Sequence, residues 1–375
     1  METSGKMTDR EACILFNMIS GIGYVKYRAL VDAFGTPAAA LAQPVERLLT
    51  VPGIGPQLAE RVAKAPEEID LAAELAFAER GAVRILTLLD EAYPKVLREI
   101  YDPPLVLYIR GTLPEFGRGN ALAVVGTRRM SRYGEEMTRR ITGDAVAAGM
   151  VTVSGLANGV DTVAHRVTVE NRGVTVAVLG GGLARLQPQE NVPLAREIIT
   201  TGGAVITEFP MNFPVSRTSF PRRNRIVAAL ADAVLVAEAG LESGALITAN
   251  LAADRKLVMA VPGRVDNPQS RGCHELIKNG ATLVESFADV AQAMGFGLLP
   301  LGEVREEEVK YDPGAVTDLS NEARRILALL EEGEKSFDEL ATASLLEAGV
   351  MSSILMQLEL KMLIRRSADQ LYGRR

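Results

Sequence analysis

Seven short apolar runs recur between residues 121 and 284: Leu122–Val125, Val151–Val153, Val174–Leu179, Ala204–Thr207, Ala233–Ala237, Leu257–Val261 and Thr282–Val284. Segments with helical patterning separate them. Strands with no polar alternation bury both faces, and helices between them supply the cover, so this region predicts a parallel sheet. The fold class is therefore α/β, a Rossmann-like doubly wound parallel sheet, with ligands expected beyond the C-terminal strand ends. Those ends read Gly126-Thr127-Arg128, Ser154-Gly155-Leu156, Gly180-Gly181-Gly182, Glu208-Phe209-Pro210, Glu238-Ala239-Gly240 and Pro262-Gly263-Arg264. Glycine lets backbone amides turn toward a ligand without a Cβ in the way. The edge reads as an anion-binding rim.

The flanks read differently. Residues 10–65 pattern as short helices around two similar turns, Ser20-Gly21-Ile22-Gly23 and Pro52-Gly53-Ile54-Gly55. This is a helix-hairpin-helix or SAM-like pattern. It serves either as a grip on DNA phosphates or as a packing module, and the few basic residues (Lys26, Arg28, Lys64) leave both open. Strands are expected at Val83–Leu89 and Leu105–Ile109. The acidic, proline-bearing stretch around Glu306-Glu307-Glu308 and Asp312-Pro313 reads as a linker. Three helical segments and two short strands after it predict a winged helix. The domain boundaries expected are 1–66, 67–300, 301–316 for the linker and 317–375. The last segment holds eight Lys/Arg and ten Asp/Glu. Its recognition-helix positions Ser352, Ser353 and Gln357 carry only Lys361 as a cation, which favours a protein-contact or autoregulatory role over groove reading.

The chain has 375 residues, 23% charged and 47% hydrophobic, with a net charge of −6. Nucleic-acid contact must then come from a local basic patch. Two cysteines and two histidines, His165 and His274, give neither a disulfide framework nor a zinc site. No signal-peptide core or membrane-length apolar run is present, so a reduced, cytoplasmic protein without a membrane segment is expected.

The basic patch is concentrated in Ser216-Arg217-Thr218-Ser219-Phe220-Pro221-Arg222-Arg223-Asn224-Arg225, just before the helical run Ile226–Leu230. Pro221 suits the first helical position. Arginines in the next turn face the positive end of the helix dipole, an arrangement that expects an anion between them. Phe220 supplies a face for a stacked base. A second patch, Gly126-Thr127-Arg128-Arg129-Met130-Ser131-Arg132, lacks the Gly-x-Gly-x-x-Gly of a dinucleotide site. It reads as a phosphate site with Arg128 and Arg132 as cations and Ser131 as hydroxyl donor. Ser243 and Gly244 open another helix, Ser243 as its cap and the two amides as a further anion site. Ser154, Asp161 and His165 suggest a hydrolase, but the nucleophile elbow is missing and a turn-shaping role is favoured. Glu238 lacks a second carboxylate at a defined spacing. The turn Glu238-Ala239-Gly240-Leu241-Glu242-Ser243-Gly244 departs from the Pro-Gly-Gly-x-Gly-Thr-x-x-Glu of lysine-decarboxylase-like phosphoribohydrolases, a Rossmann-like enzyme class that stands as the alternative. An adaptor whose arginines meet an acidic protein is a third reading.

Taken in order, these residues resemble the DprA/Smf DNA-processing family. The shared positions are Tyr93-Pro94, Asp102-Pro103-Pro104, Leu107-Tyr108, Val125-Gly126-Thr127-Arg128, Ser154-Gly155-Leu156-Ala157, Gly159, Asp161, His165, Val178-Leu179-Gly180, Glu208, Phe220-Pro221, Arg223-Asn224-Arg225, Glu238, Ser243-Gly244, Pro262-Gly263, Leu276-Ile277 and Gly280-Ala281. The resemblance implies a non-catalytic protein without cofactor or metal that binds single-stranded DNA, dimerises through the Rossmann-like domain, protects incoming strands in natural transformation and loads the RecA recombinase. By position it places DNA contacts on Arg128, Arg132, Arg217, Phe220, Arg222, Arg223 and Asn224. Ser131, Gly155, Ser243 and Gly244 complete the expected site.

Overall fold

The computed structural model describes residues 7–296 and, beyond them, 320–331, 333, 335–344, 346, 350–351, 354–355, 358, 363–366 and 371–374. The expected linker at 301–316 and the recognition-helix positions Ser352, Ser353, Gln357 and Lys361 lie outside the described residues. The chain divides into two compact units, Met1–Gly297 and Leu298–Arg375.

Nine strands form the sheet of the first unit: β1 (Arg84–Thr87), β2 (Val106–Gly111), β3 (Ala121–Val125), β4 (Val151–Ser154), β5 (Thr175–Val178), β6 (Ala204–Thr207), β7 (Ala233–Val236), β8 (Leu257–Ala260) and β9 (Thr282–Leu283). Their order is β1-β2-β6-β5-β4-β3-β7-β8-β9. From β6 to β9 every pairing is parallel, whereas β1 pairs β2 and β2 pairs β6 antiparallel, with Tyr108 opposite Thr207. The chain winds outward from β3 to β6, then returns to place β7 on the other side of β3. This reversal between β3 and β7 opens a crevice at their C-terminal ends.

Alternation within the strands explains the two apolar layers. Ala123 and Val125 of β3 face the layer that holds Ile226 to Leu230 and Ala245, Ala249 and Ala252. Leu122 and Val124 face the opposite layer, with Met137, Ile141, Val160 and Ala164. Successive side chains point to opposite faces, and both faces are covered, so every residue of the strand is buried. The N-terminal helices do not stand apart. Ala12 to Phe16, Leu30, Leu58 and Val62 share one core with Ile85, Val106 and Tyr108 of the antiparallel pair. Helices Tyr24–Phe34 and Pro56–Glu68 follow the two glycine turns. There Lys26 donates to the carbonyl of Gly21 and Arg61 to that of Ser20.

In the second unit, β10 (Lys335–Ser336), β11 (Ile364–Arg366) and β12 (Leu371–Arg374) pair in the order β10-β12-β11. The first was not foreseen. Helices Asn321–Leu330 and Phe337–Ser344 contribute Ile326, Leu330 and Leu340 to its core. Among the described residues, no helix is long and apolar enough to cross a membrane.

Both thiols are buried, and burial raises Cys13 to about 11 and Cys273 to about 12. Thiolate is the reactive form, so a disulfide-exchange dye should label neither cysteine in the native protein and both after unfolding. Fast native labelling of one thiol would contradict this burial.

Candidate functional site

At the β3–β7 crevice lies a cavity of about 890 Å³. Its walls come from four places: the turn after β3 (Gly126 to Arg129), the turn after β4 (Gly155, Ala157), the helix Ser219–Leu230 (Phe220, Arg223, Asn224) and the loop into helix Gly244–Ala253 (Gly240 to Ala245). Pro268, Gln269 and Arg271, at the start of helix Arg271–Lys278, close it. A smaller cavity of about 150 Å³ lies beside it, lined by Asn158, Gly180, Gly181 and Gln187, and shares Arg128, Gly155, Ala157, Phe220 and Arg223. The Arg128 guanidinium sits 4.7 Å from the Phe220 ring centroid. This stacked pair, contributed by two distant segments, borders both cavities.

Arg223, 5% exposed, lines both cavities with the pair. It donates from Nη1 to the carbonyls of Gly155 and Val178, and from Nε to Asn224 Oδ1 at 2.9 Å. Asn224 Nδ2 donates in turn to the Gly244 carbonyl at 3.3 Å. The chain turns closely around this arginine. A Cβ at position 155 would run into the guanidinium, so only glycine fits. Burial pulls the Arg223 pKa down while the nearby Asp161 opposes that shift. Asp161 is pushed up by its own burial, against the pull of Arg223 and of backbone donors. Its Oδ2 accepts from the amides of Gly155 at 3.1 Å and Ala157 at 3.4 Å.

Seven of the expected residues therefore meet at one cavity: Arg128, Gly155, Phe220, Arg223, Asn224, Ser243 and Gly244. Four do not line it: Ser131, Arg132, Arg217 and Arg222. Ser131 caps helix Arg132–Ala147, and its hydroxyl donates to Glu238 Oε1 at 2.7 Å. Its proton is taken, which corrects the expectation of a hydroxyl donor to phosphate. Glu238 also accepts from the Ser131 amide at 2.7 Å and from Asn267 at 3.2 Å, so it ties the ends of β3 and β7 together. Arg222 pairs with Glu208 at 3.0 Å and stacks over Phe209 at 4.8 Å. Arg225 reaches the same Glu208 oxygen and Asp102. Two of the four clustered arginines are thus neutralised internally. Arg132 and Arg217 are exposed outside the cavity walls.

Three finer expectations also change. The helix begins at Ser219, two residues before Pro221, because Ser216 and Ser219 close a turn through reciprocal hydrogen bonds. Ser243 does cap its helix, accepting from the Ala245 amide, but its own amide donates to the Gly240 carbonyl at 3.1 Å. The Gly155 amide is likewise taken by Asp161. Of these backbone donors, the Gly244 amide is left open. Ser154 donates its hydroxyl proton to the Val124 carbonyl, and buried His165 holds Thr175 at 2.7 Å, so the histidine is not the base that a hydrolase nucleophile at Ser154 would need.

Residues 84–295, 212 of the 375, match the family DNA recombination-mediator protein A. The chain belongs to this family, the DprA/Smf group. Residues 15–65 match the SAM-like helix-hairpin-helix tandem and residues 312–370 the DprA winged helix domain. Protein Smf of Escherichia coli (strain K12) is 41% identical over 60% of this chain and 59% of its own length. Protein Smf of Synechocystis is 32% identical over 96% of this chain and 98% of its own. The X-ray structure of DNA processing protein A from Streptococcus pneumoniae superposes with a TM-score of 0.63 at 32% identity, covering 76% of this chain and 98% of that one.

For this DprA-family chain, reading the residues in order missed two arginines. Arg129 and Arg271 are exposed, line the larger cavity and form no ion pair among the described residues. Arg129 sat unweighted inside a recognised patch. Arg271 follows Phe220 by some fifty residues, and only the β8–β9 crossover brings its helix to the crevice.

Proposed function

We propose that this chain is a recombination mediator that binds single-stranded DNA across the β3–β7 crevice, protects it and, as a dimer, passes it to RecA. The observation that carries the reading is the Arg128–Phe220 pair, which borders both cavities together with the buried Arg223. A flat aromatic face next to guanidinium groups accepts any base by stacking and its phosphate by charge. Duplex bases are already stacked on each other, so the preference is for single strands. Membership of the DNA recombination-mediator family supports the same substrate class. The reading is binding rather than turnover. Both oxygens of Glu238 are occupied, and Ser154 donates to a backbone carbonyl.

Fluorescence anisotropy on single and duplex oligonucleotides across a salt series tests it. Single-strand binding should dominate, with a log–log slope of about −0.7 per phosphate neutralised. Phe220→Ala should cost about 1–3 kcal/mol of single-strand affinity. Arg222→Ala should cost less than Arg128→Ala, since Arg222 is held by Glu208. Equal affinity of the wild type and Phe220→Ala would remove the assigned site. RecA transfer is read separately, as the protein's effect on RecA assembly on a coated strand.

A further inference from the structure

We propose that the larger cavity is a pocket for a nucleoside phosphomonoester, either the phosphorylated terminus of a strand or a free mononucleotide. This rests on the reading that the cavity takes DNA, and it assigns what part of the DNA enters. Two helices of ten and eight residues, Gly244–Ala253 and Arg271–Lys278, begin at its wall. Their starts meet at one loop, where the Gly272 amide donates to the Ala239 carbonyl at 2.8 Å and Gln269 packs against Gly240. The Gly244 amide carries no hydrogen bond there. Converging helix starts favour concentrated negative charge.

The second observation is Arg223. It is 5% exposed and lines the cavity, yet only its Nε and Nη1 are bonded, leaving Nη2 without a protein partner. Four arginines (128, 129, 223 and 271) face two carboxylates, Asp161 and Glu242, a formal surplus of two positive charges. An internal phosphodiester carries one negative charge, whereas a phosphomonoester carries about −1.5 to −2 at pH 7. The cavity's size is that of a small-molecule site, and its place at the strand-order reversal is where doubly wound folds hold nucleotides. The Phe220 face then takes the terminal base, and the open Gly244 amide with the Arg223 and Arg271 guanidinium groups takes its phosphate.

The test compares one thymidine oligonucleotide bearing a 5′-phosphate, a 5′-hydroxyl or a 3′-phosphate at fixed ionic strength, with thymidine monophosphate as competitor. The full-length protein should bind one phosphorylated end about tenfold more tightly than the hydroxyl end. Competition by the mononucleotide without an end preference would identify the free nucleotide as the source of the same ligand. Arg271→Ala should bring the ratio of phosphorylated to unphosphorylated affinity toward one. Gly244→Pro should do so too. Proline suits a first helical position, and Ser243 already has the extended backbone (φ −70°, ψ 132°) that proline requires before it. This variant removes one amide while keeping the helix, which an unchanged Tm verifies. No end preference together with no competition overturns the proposal. If Phe220→Ala still weakens strand binding in that case, the single-strand reading survives without it.

Discussion

Glu208→Ala should lower the unfolding free energy by about 3–5 kcal/mol, the largest loss expected from any single carboxylate here. Glu208 is 2% exposed at the end of β6, and its Oε2 receives both Arg222 and Arg225. Arg225 is itself only 12% exposed, so deleting the carboxylate strands a buried guanidinium with Asp102, 40% exposed, as its remaining ion-pair partner. Arg222, 48% exposed, adds little because water replaces its partner. Glu208→Gln keeps the volume and one acceptor and should lose less. Urea unfolding at constant m-value measures both, and the Ala variant should melt roughly 6–20 °C lower. A loss under about 1 kcal/mol for the Ala variant would show that the pair is not sealed from solvent.

Acidification from pH 7.5 to 5 should destabilise the protein by about 2 kcal/mol through His165 alone. The ring is fully buried and sits in a polar knot. Its Nδ1 meets Thr175 Oγ1 at 2.7 Å, and that hydroxyl donates to the Thr152 carbonyl, so Nδ1 carries the proton. Burial first, and the charge of Arg223 second, push its pKa down to about 3 from 6.5. The unfolded chain then binds a proton below about pH 6.5 that the folded chain refuses until near pH 3. Stability falls as pH drops through that window and is regained above it. His165→Gln should flatten the pH dependence of urea midpoints between pH 7.5 and 5. An equally steep dependence in that variant would assign the effect to other groups.

Much of the framework is legible in the chain. Apolar runs such as Ala233–Ala237 and Leu257–Val261 coincide with β7 and β8 within a residue, because a strand buried on both faces has no polar positions to confuse its limits. The antiparallel start was not legible. Val83–Leu89 and Leu105–Ile109 read as strands, but nothing local states that they pair each other and then β6. The site was legible as a set of residue types rather than as an arrangement. Ser219 starts its helix early because of a bond to Ser216, and Ser131 serves Glu238, 107 residues away.

What the amino-acid order settled by itself was the doubly wound sheet, its glycine-bearing edge and the concentration of arginine beside Phe220, since these depend on local periodicity and residue type. Which arginines stay available was decided by tertiary structure alone. A guanidinium is free or bound according to the carboxylates and carbonyls that folding brings to it. Glu208 captures Arg222 and Arg225, Gly155 and Val178 seat Arg223, and the crossover after β8 delivers Arg271.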